Sequence, residues 1–104
     1  MKGKVITVQG PIEPEEIGPP LTHEHIFLDI SCWFEEGSDV GSRRLSNEPV
    51  SLKNLWWIKR NPLLNSDNCL LTDYPLALEE LMEFKKLGGS ALVDVTNIGI
   101  GRDP

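Results

Sequence analysis

Hydrophobic and polar positions along the chain fall into short runs punctuated by glycine and proline. The run Val5-Ile6-Thr7-Val8 is β-branched and bounded by Gly10-Pro11, which predicts a strand ending in a turn, with Ile12 continuing as a hairpin arm. Pro14-Glu15-Glu16-Ile17 before Gly18 predicts a single helical turn stopped by glycine. Leu21 to His25 then predicts a second strand. Ile26-Phe27-Leu28-Asp29-Ile30 is apolar without a clean period, so helix and loop both stay open there.

Residues 35–50 are rich in Glu, Ser, Gly and Asp, which is loop composition of unusual length for a compact domain. Ser51 to Lys59 fits a short helix with Ser51 as N-cap, ended by Asn61-Pro62. The pattern is clearest over Asp73–Leu87. Asp73 suits an N-cap and Pro75 the first turn, and Leu78, Leu81, Met82 and Leu87 are expected to face inward. Lys85 and Lys86 suit the C-terminal end, and Gly88 the C-cap. Ala91-Leu92-Val93-Asp94-Val95 is almost continuously apolar, as in a strand of a parallel sheet covered on both faces. Strand, helical crossover, strand makes one β/α unit and the start of the next. No internal repeat or low-complexity tract interrupts it.

A chain of 104 residues builds one modest domain, here taken as 1–104. It is too short to close an enzyme-sized β/α barrel, which needs about 250 residues. A net charge of −6 argues against nucleic acid as a partner, and Arg43-Arg44 and Lys59-Arg60, the nearest approaches to basic patches, are too short to outweigh it. No stretch approaches the roughly 20 apolar residues of a membrane span. The basic start Met1-Lys2-Gly3-Lys4 is followed by Gln9, Gly10 and the acidic Glu13, Glu15 and Glu16, which interrupt any signal-peptide core; a cytoplasmic location is the expectation by default. Cys32 and Cys69 match no metal-binding CxxC spacing and are expected to be reduced thiols.

The chemistry concentrates in His23-Glu24-His25, which holds both histidines of the chain. On a strand, positions i and i+2 face the same way, so two imidazoles there can converge on one divalent ion. Taken alone, such a pair is more often two polar residues on a half-exposed strand. Its place at the C-terminal end of a first parallel strand, where β/α barrels keep their chemistry, favours a metal. Phe27 stands where HExxH would need its second histidine, which excludes that motif. Asp94 interrupts an apolar strand and calls for backbone partners or Arg102 more than for a metal. Gly99-Ile100-Gly101-Arg102-Asp103-Pro104 fails the dinucleotide-loop pattern, and a backbone turn accounts for it better. Trp33, Trp56 and Trp57 read as core or subunit-contact residues.

Gly10-Pro11-Ile12, Gly18 and Leu21-Thr22-His23-Glu24-His25-Ile26 resemble the N-terminus of the phosphotriesterase family of the amidohydrolase superfamily. Gly88-Gly89-Ser90-Ala91-Leu92-Val93-Asp94-Val95-Thr96, followed by Gly101-Arg102-Asp103, resembles its second barrel strand and the loop after it. Asn61-Pro62 and Asp67-Asn68 are similar to the related lactonases. The resemblance implies an α/β fold, the N-terminal portion of a (β/α)8 TIM barrel. It implies a binuclear divalent-metal centre, zinc foremost with manganese, cobalt or iron as alternatives, in which His23 and His25 hold the more buried ion. The implied reaction is attack of a metal-bound hydroxide on a small-molecule ester: a phosphotriester (organophosphate) or a lactone.

The resemblance also implies ligands that this sequence lacks: a carboxylated lysine or glutamate, two more histidines and an aspartate from later strands. Two protein ligands leave most of zinc's coordination sphere to water. The chain is therefore expected to be an N-terminal fragment, inactive by itself, with an open sheet edge. Association with the rest of a barrel and homo-oligomerisation are the partner modes this leaves. A non-catalytic interaction module docking through that edge and Trp56-Trp57 is the alternative. A rearranged fold with purely structural histidines is a third.

Overall fold

The computed structural model describes residues 3–104; Met1 and Lys2, which open the basic start, lie outside the described residues. Its elements are β1 (Val5–Thr7), β2 (Gly10–Ile12), β3 (Pro20–Glu24), β4 (Leu28–Asp29), α1 (Val40–Asn47), α2 (Leu55–Ile58), β5 (Leu70–Leu71), α3 (Tyr74–Lys86) and β6 (Ala91–Asp94). Short 3-10 turns occupy Pro14–Glu16, Ser31–Trp33, Asp67–Cys69 and Ile98–Ile100. The chain divides into two units: residues 3–24 with Tyr74–Val95, and His25–Asp73 with Thr96–Pro104.

The first unit contains the elements with the clearest periodicity. β1 and β2 form the expected hairpin, in the register Val5↔Ile12, Ile6↔Pro11, Thr7↔Gly10. The turn expected at Gly10-Pro11 comes earlier, at Val8-Gln9. The Thr7 hydroxyl donates to the Gly10 carbonyl at 2.8 Å and accepts from the Gln9 amide at 3.1 Å, and Gly10 re-enters the ladder at φ +119°. Pro11, without an N–H, is tolerated in a strand paired on one side only. The turn at Pro14–Glu16 is tied at its start by the Glu13 amide donating to the Glu16 carboxylate at 2.6 Å.

β3 and β6 pair in parallel, and α3 lies in the crossover between them. That helix ends in a Schellman arrangement: the Gly89 amide donates to the Phe84 carbonyl at 3.0 Å and the Gly88 amide to the Lys85 carbonyl at 3.0 Å, with Gly88 at φ +95°. A Cβ on Gly89 would collide with the Phe84 ring. The covered face of α3 is Ala77, Leu81 and Phe84, all half-buried. Of the residues expected inward, Leu78, Met82 and Leu87 are exposed, Leu87 at 88 %. β6 is likewise only half-covered at Ala91 and Leu92, with Val93 exposed, not buried on both faces.

The second unit is built from shorter pieces. α1 replaces the long loop expected over residues 35–50. Its signal is the Asp39 cap, whose carboxylate accepts from the Ser42 amide at 3.0 Å and the Ser42 hydroxyl at 2.6 Å. The helix was hidden because its one fully buried side chain is Ser46, which donates no apolar period to the sequence. α2 starts at Leu55, not after Ser51. Asn54 holds the preceding turn, accepting from the Ser51 amide at 2.9 Å and donating to the Pro49 carbonyl at 2.9 Å. β4 and β5 pair antiparallel as Leu28↔Leu71 and Asp29↔Leu70, which resolves the open segment at 26–30 as a short strand.

Every fully covered side chain among the described residues belongs to this second unit: Trp57, Ile58, Cys69, Ser46, Asn54, Asn65 and Thr96. Trp33 and Trp56 are exposed. Among the described residues, no helix is long and apolar enough to cross a membrane.

Candidate metal centre

His23 lies within β3, and the strand is irregular there. Pro20 and Leu21 face Ala91 and Leu92, but the next matched pair is Glu24 with Asp94. Three steps along β3 thus correspond to two along β6, which is a bulge taking in Thr22 and His23. β3 then ends at Glu24, whose carbonyl accepts from the Val95 amide at 3.0 Å. The strand expected to reach His25 therefore stops one residue short, and strict two-residue alternation does not govern the pair. Bulges at strand ends redirect side chains, so the spacing of His23 and His25 has to be judged by each ring's own surroundings. His23 is exposed and His25 half-buried.

His25 opens the second unit, and its ring is held from one side. Its Nδ1 lies 2.8 Å from the hydroxyl of Thr96, a residue only 5 % exposed, just after β6. That hydroxyl in turn lies 3.3 Å from the Phe27 carbonyl. The hydroxyl has one proton, and whether the ring nitrogen or the carbonyl takes it goes with the tautomer of the ring. An imidazole with one nitrogen engaged by an oxygen and the other bearing a lone pair is the form that ligates divalent ions. An imidazole nitrogen is a donor suited to a borderline ion such as zinc. Among the described residues, no group of three or more His, Cys, Asp or Glu side chains is gathered as a metal cluster.

Thr96 closes the Gly88–Thr96 stretch that carries the family resemblance, but nothing in the sequence marks it as a partner of His25. Asp94, read there as a buried carboxylate, is exposed at the end of β6. The Gly99–Pro104 segment is a backbone turn as expected: Asn97 caps it, accepting from the Gly99 amide at 2.9 Å, and the Arg102 amide donates to the Asn97 carbonyl at 3.1 Å. Cys32 is an exposed thiol and Cys69 a buried one. Burial, with the charges of Asp29 and Cys32 adding to it, pushes the Cys69 thiol above its ordinary pKa. Cys69 is therefore an inert packing residue, its Sγ donating to the Asn65 carbonyl at 3.3 Å.

Comparison with known proteins assigns the chain to a family. The chain is 44% identical over 105 residues to an N-acetyltaurine hydrolase of Xenopus tropicalis, covering 99% of this chain and 30% of that protein. It is 40% identical over 104 residues to the human N-acetyltaurine hydrolase, with the same shares covered. A phosphotriesterase-related protein of Nematostella vectensis is 39% identical over 104 residues, 97% of this chain and 30% of that one. The chain thus spans about 30% of the length of these relatives. Among solved structures, a resiniferatoxin-binding protein from Rhodobacter sphaeroides superposes with a TM-score of 0.91 at 37% identity, over 97% of this chain and 28% of that one. The fold is accordingly α/β, the N-terminal portion of a (β/α)8 barrel, with no closed barrel among the described residues. The phosphotriesterase family model matches residues 3–104, and the chain belongs to that family.

Proposed function

We propose that the chain contributes His23 and His25 as metal ligands to the active site of a small-molecule hydrolase. The observation that carries the reading is the family match over residues 3–104, which takes in the His-Glu-His segment, together with relatives named as hydrolases. A bound divalent ion, zinc foremost, supplies Lewis-acid polarisation of the scissile group and a more acidic water. The chain's own part is to present two imidazoles, the His25 ring held at Nδ1 by the Thr96 hydroxyl. The remaining ligands of a binuclear centre are not supplied by these residues, so the 104 residues alone are expected to bind metal weakly and to be inactive.

For the substrate, the names of the relatives favour an N-acyl amide with a sulfonate tail, as in N-acetyltaurine. A lactone or phosphotriester is the ester alternative, and both classes need the same electrophile activation. The test has two arms. Cobalt or zinc titration of the 104-residue chain is expected to show weak binding that His23→Ala with His25→Ala abolishes; binding unchanged in the double variant overturns the ligand assignment. In the second arm, the chain replaces the matching segment of the Xenopus relative. The chimera is then assayed on N-acetyltaurine, a lactone and a chromogenic phosphotriester. N-acetyltaurine turnover lost in His23→Ala supports the amide reading, whereas turnover confined to the esters reverses the substrate order. Turnover by the 104 residues alone that His23→Ala abolishes overturns the expectation of inactivity.

A further inference from the structure

We infer that the exposed face of α3 docks on the same face of a second copy of this chain, antiparallel, about a two-fold axis at Met82. The 13 residues of α3 carry two apolar strips. Ala77, Leu81 and Phe84 make the half-buried one. Tyr74, Leu78 and Met82 recur every four residues beside it, and all three are exposed. At 3.6 residues per turn each step of four drifts by about 40°, so these three and the stem of the exposed Lys85 form one continuous strip. A helix with a second apolar strip beside its covered one has a surface suited to a further helix.

The charges on α3 choose the occupant and its direction. They are segregated along the axis: Glu79, Glu80 and Glu83 on the middle turns, Lys85 and Lys86 on the last, all exposed. Glu83 and Lys86 pair within the helix. A parallel copy would set acidic turn beside acidic turn and lysine beside lysine. An antiparallel copy brings opposite charges together and opposes the two helix dipoles as well. With the axis at Met82, that side chain meets its own copy. Positions three residues to either side then face each other, Glu79 opposite Lys85, and positions four to either side set Leu78 against the stem of Lys86. Symmetry makes two of each contact, and because both copies use the same strip, association closes at two. A helix of this length rises about 20 Å and offers a contact of roughly 200 Å² per copy, well below the roughly 800 Å² of a stable interface. The dimer is therefore weak, with a dissociation constant of about 0.1–1 mM.

The test is sedimentation equilibrium of the 104-residue chain up to about 1 mM, at about 0.15 M salt, where the net charge of −6 is screened over distances beyond roughly 8 Å. The expected result is a monomer–dimer equilibrium that Met82→Glu weakens at least tenfold. Leu52→Glu, at an exposed position of the second unit, adds the same charge away from α3 and is expected to change nothing. Glu79→Lys and Lys85→Glu are each expected to weaken the dimer about three- to tenfold by turning two attractive pairs into repulsive ones, and the double exchange to restore it. All these positions are exposed, so the variants keep the fold, which circular dichroism checks. A chain that stays monomeric throughout overturns the inference. So does a dimer that Met82→Glu leaves intact, or one that Leu52→Glu weakens equally. A dimer lost in Met82→Glu but indifferent to the charge exchanges overturns the antiparallel register. A chain monomeric by itself that binds the unmatched remainder of the Xenopus relative through Met82 gives the strip to that segment and overturns the second copy as its occupant.

Discussion

The two units of this chain are stabilised by different means. The first contains the regular elements, the hairpin, the parallel pair and α3, yet none of its described side chains is fully covered. Leu78, Met82, Leu87 and Val93 stand exposed on elements whose patterns mark them for burial. The second has helices of eight and four residues and a two-residue strand pair, yet it holds every fully covered side chain among the described residues. Its interior is largely polar. Asn65 donates to the carbonyls of Leu45 at 2.8 Å and Glu48 at 2.9 Å and accepts from the Asn68 amide at 2.8 Å. Ser46 donates no apolar surface but accepts from the Gly37 amide at 3.0 Å. Regular secondary structure and close packing are thus separated: one unit leaves apolar faces exposed, and the other relies on side chains that replace missing backbone ladders.

The strongest way to break that contrast is to remove one polar keystone and one apolar one. Asn65→Ala orphans two carbonyls and an amide in a site closed to water. At roughly 1–3 kcal/mol for each unsatisfied group, and allowing for some water entry, the expected loss is about 3–4 kcal/mol. Leu81→Ala truncates a half-buried side chain of α3 and should cost about 1–2 kcal/mol, below the 2–5 kcal/mol typical of fully buried sites. Denaturant titration measures both. All three tryptophans lie in the second unit, so their fluorescence follows it, while far-UV circular dichroism weights α3. If Leu81→Ala proves the costlier change, the first unit carries a real core and the contrast fails.

This division also explains what the sequence could disclose. The hairpin, α3 with its glycine stop, β6 and the family's signature stretches were legible because periodicity, capping and turn chemistry are local properties. α1 was not, since its anchors are Ser46 and a distant asparagine, and its composition matches that of a loop. The limits of α2 were misjudged because Ser51 and Asn54 are both good caps and only the turn geometry chooses between them. At the candidate site, His23 and His25 were visible from residue type and spacing. The bulge in β3 was not, because register depends on the partner strand. The contact of Thr96 with His25 was not, because the two lie 71 residues apart in sequence.

A finer probe compares two glycines in left-handed backbone, one per unit. Gly88 ends α3 at φ +95° with open space around a would-be Cβ, and Gly101 sits at φ +85° with the Asp29 amide nitrogen only 3.0 Å from that position. Alanine at either site incurs the left-handed penalty of roughly 1–2 kcal/mol. Gly101→Ala adds a backbone collision that the second unit cannot absorb through a flexible side chain, so it should exceed Gly88→Ala by about 1 kcal/mol. Equal losses would mean that the second unit yields locally and is less tightly determined than its buried asparagines suggest.

The smallest expected effect is in acid. The Ser42 hydroxyl, and then the Ser42 amide, hold the Asp39 carboxyl below its ordinary pKa, and Ser31 does the same for Asp29 through its hydroxyl and amide. Both carboxylates belong to the second unit. Because the folded pKa is the lower one, each contribution is fully present above the ordinary carboxylate value of about 3.9 and is lost as pH falls through the depressed folded value. Tryptophan-detected stability should therefore decline below about pH 5 and keep declining past the ordinary carboxylate range. Asp39→Asn supplies the diagnostic. An asparagine still caps α1 through its side-chain oxygen but has no proton to gain, so its decline should be shallower than that of the wild type. Asp39→Ala should be weaker at neutral pH and converge with the wild type in acid. Parallel acid profiles for wild type and Asp39→Asn would show that the cap of α1 is not what makes the second unit acid-sensitive. They would turn attention to the Asp29–Ser31 pair beside β4.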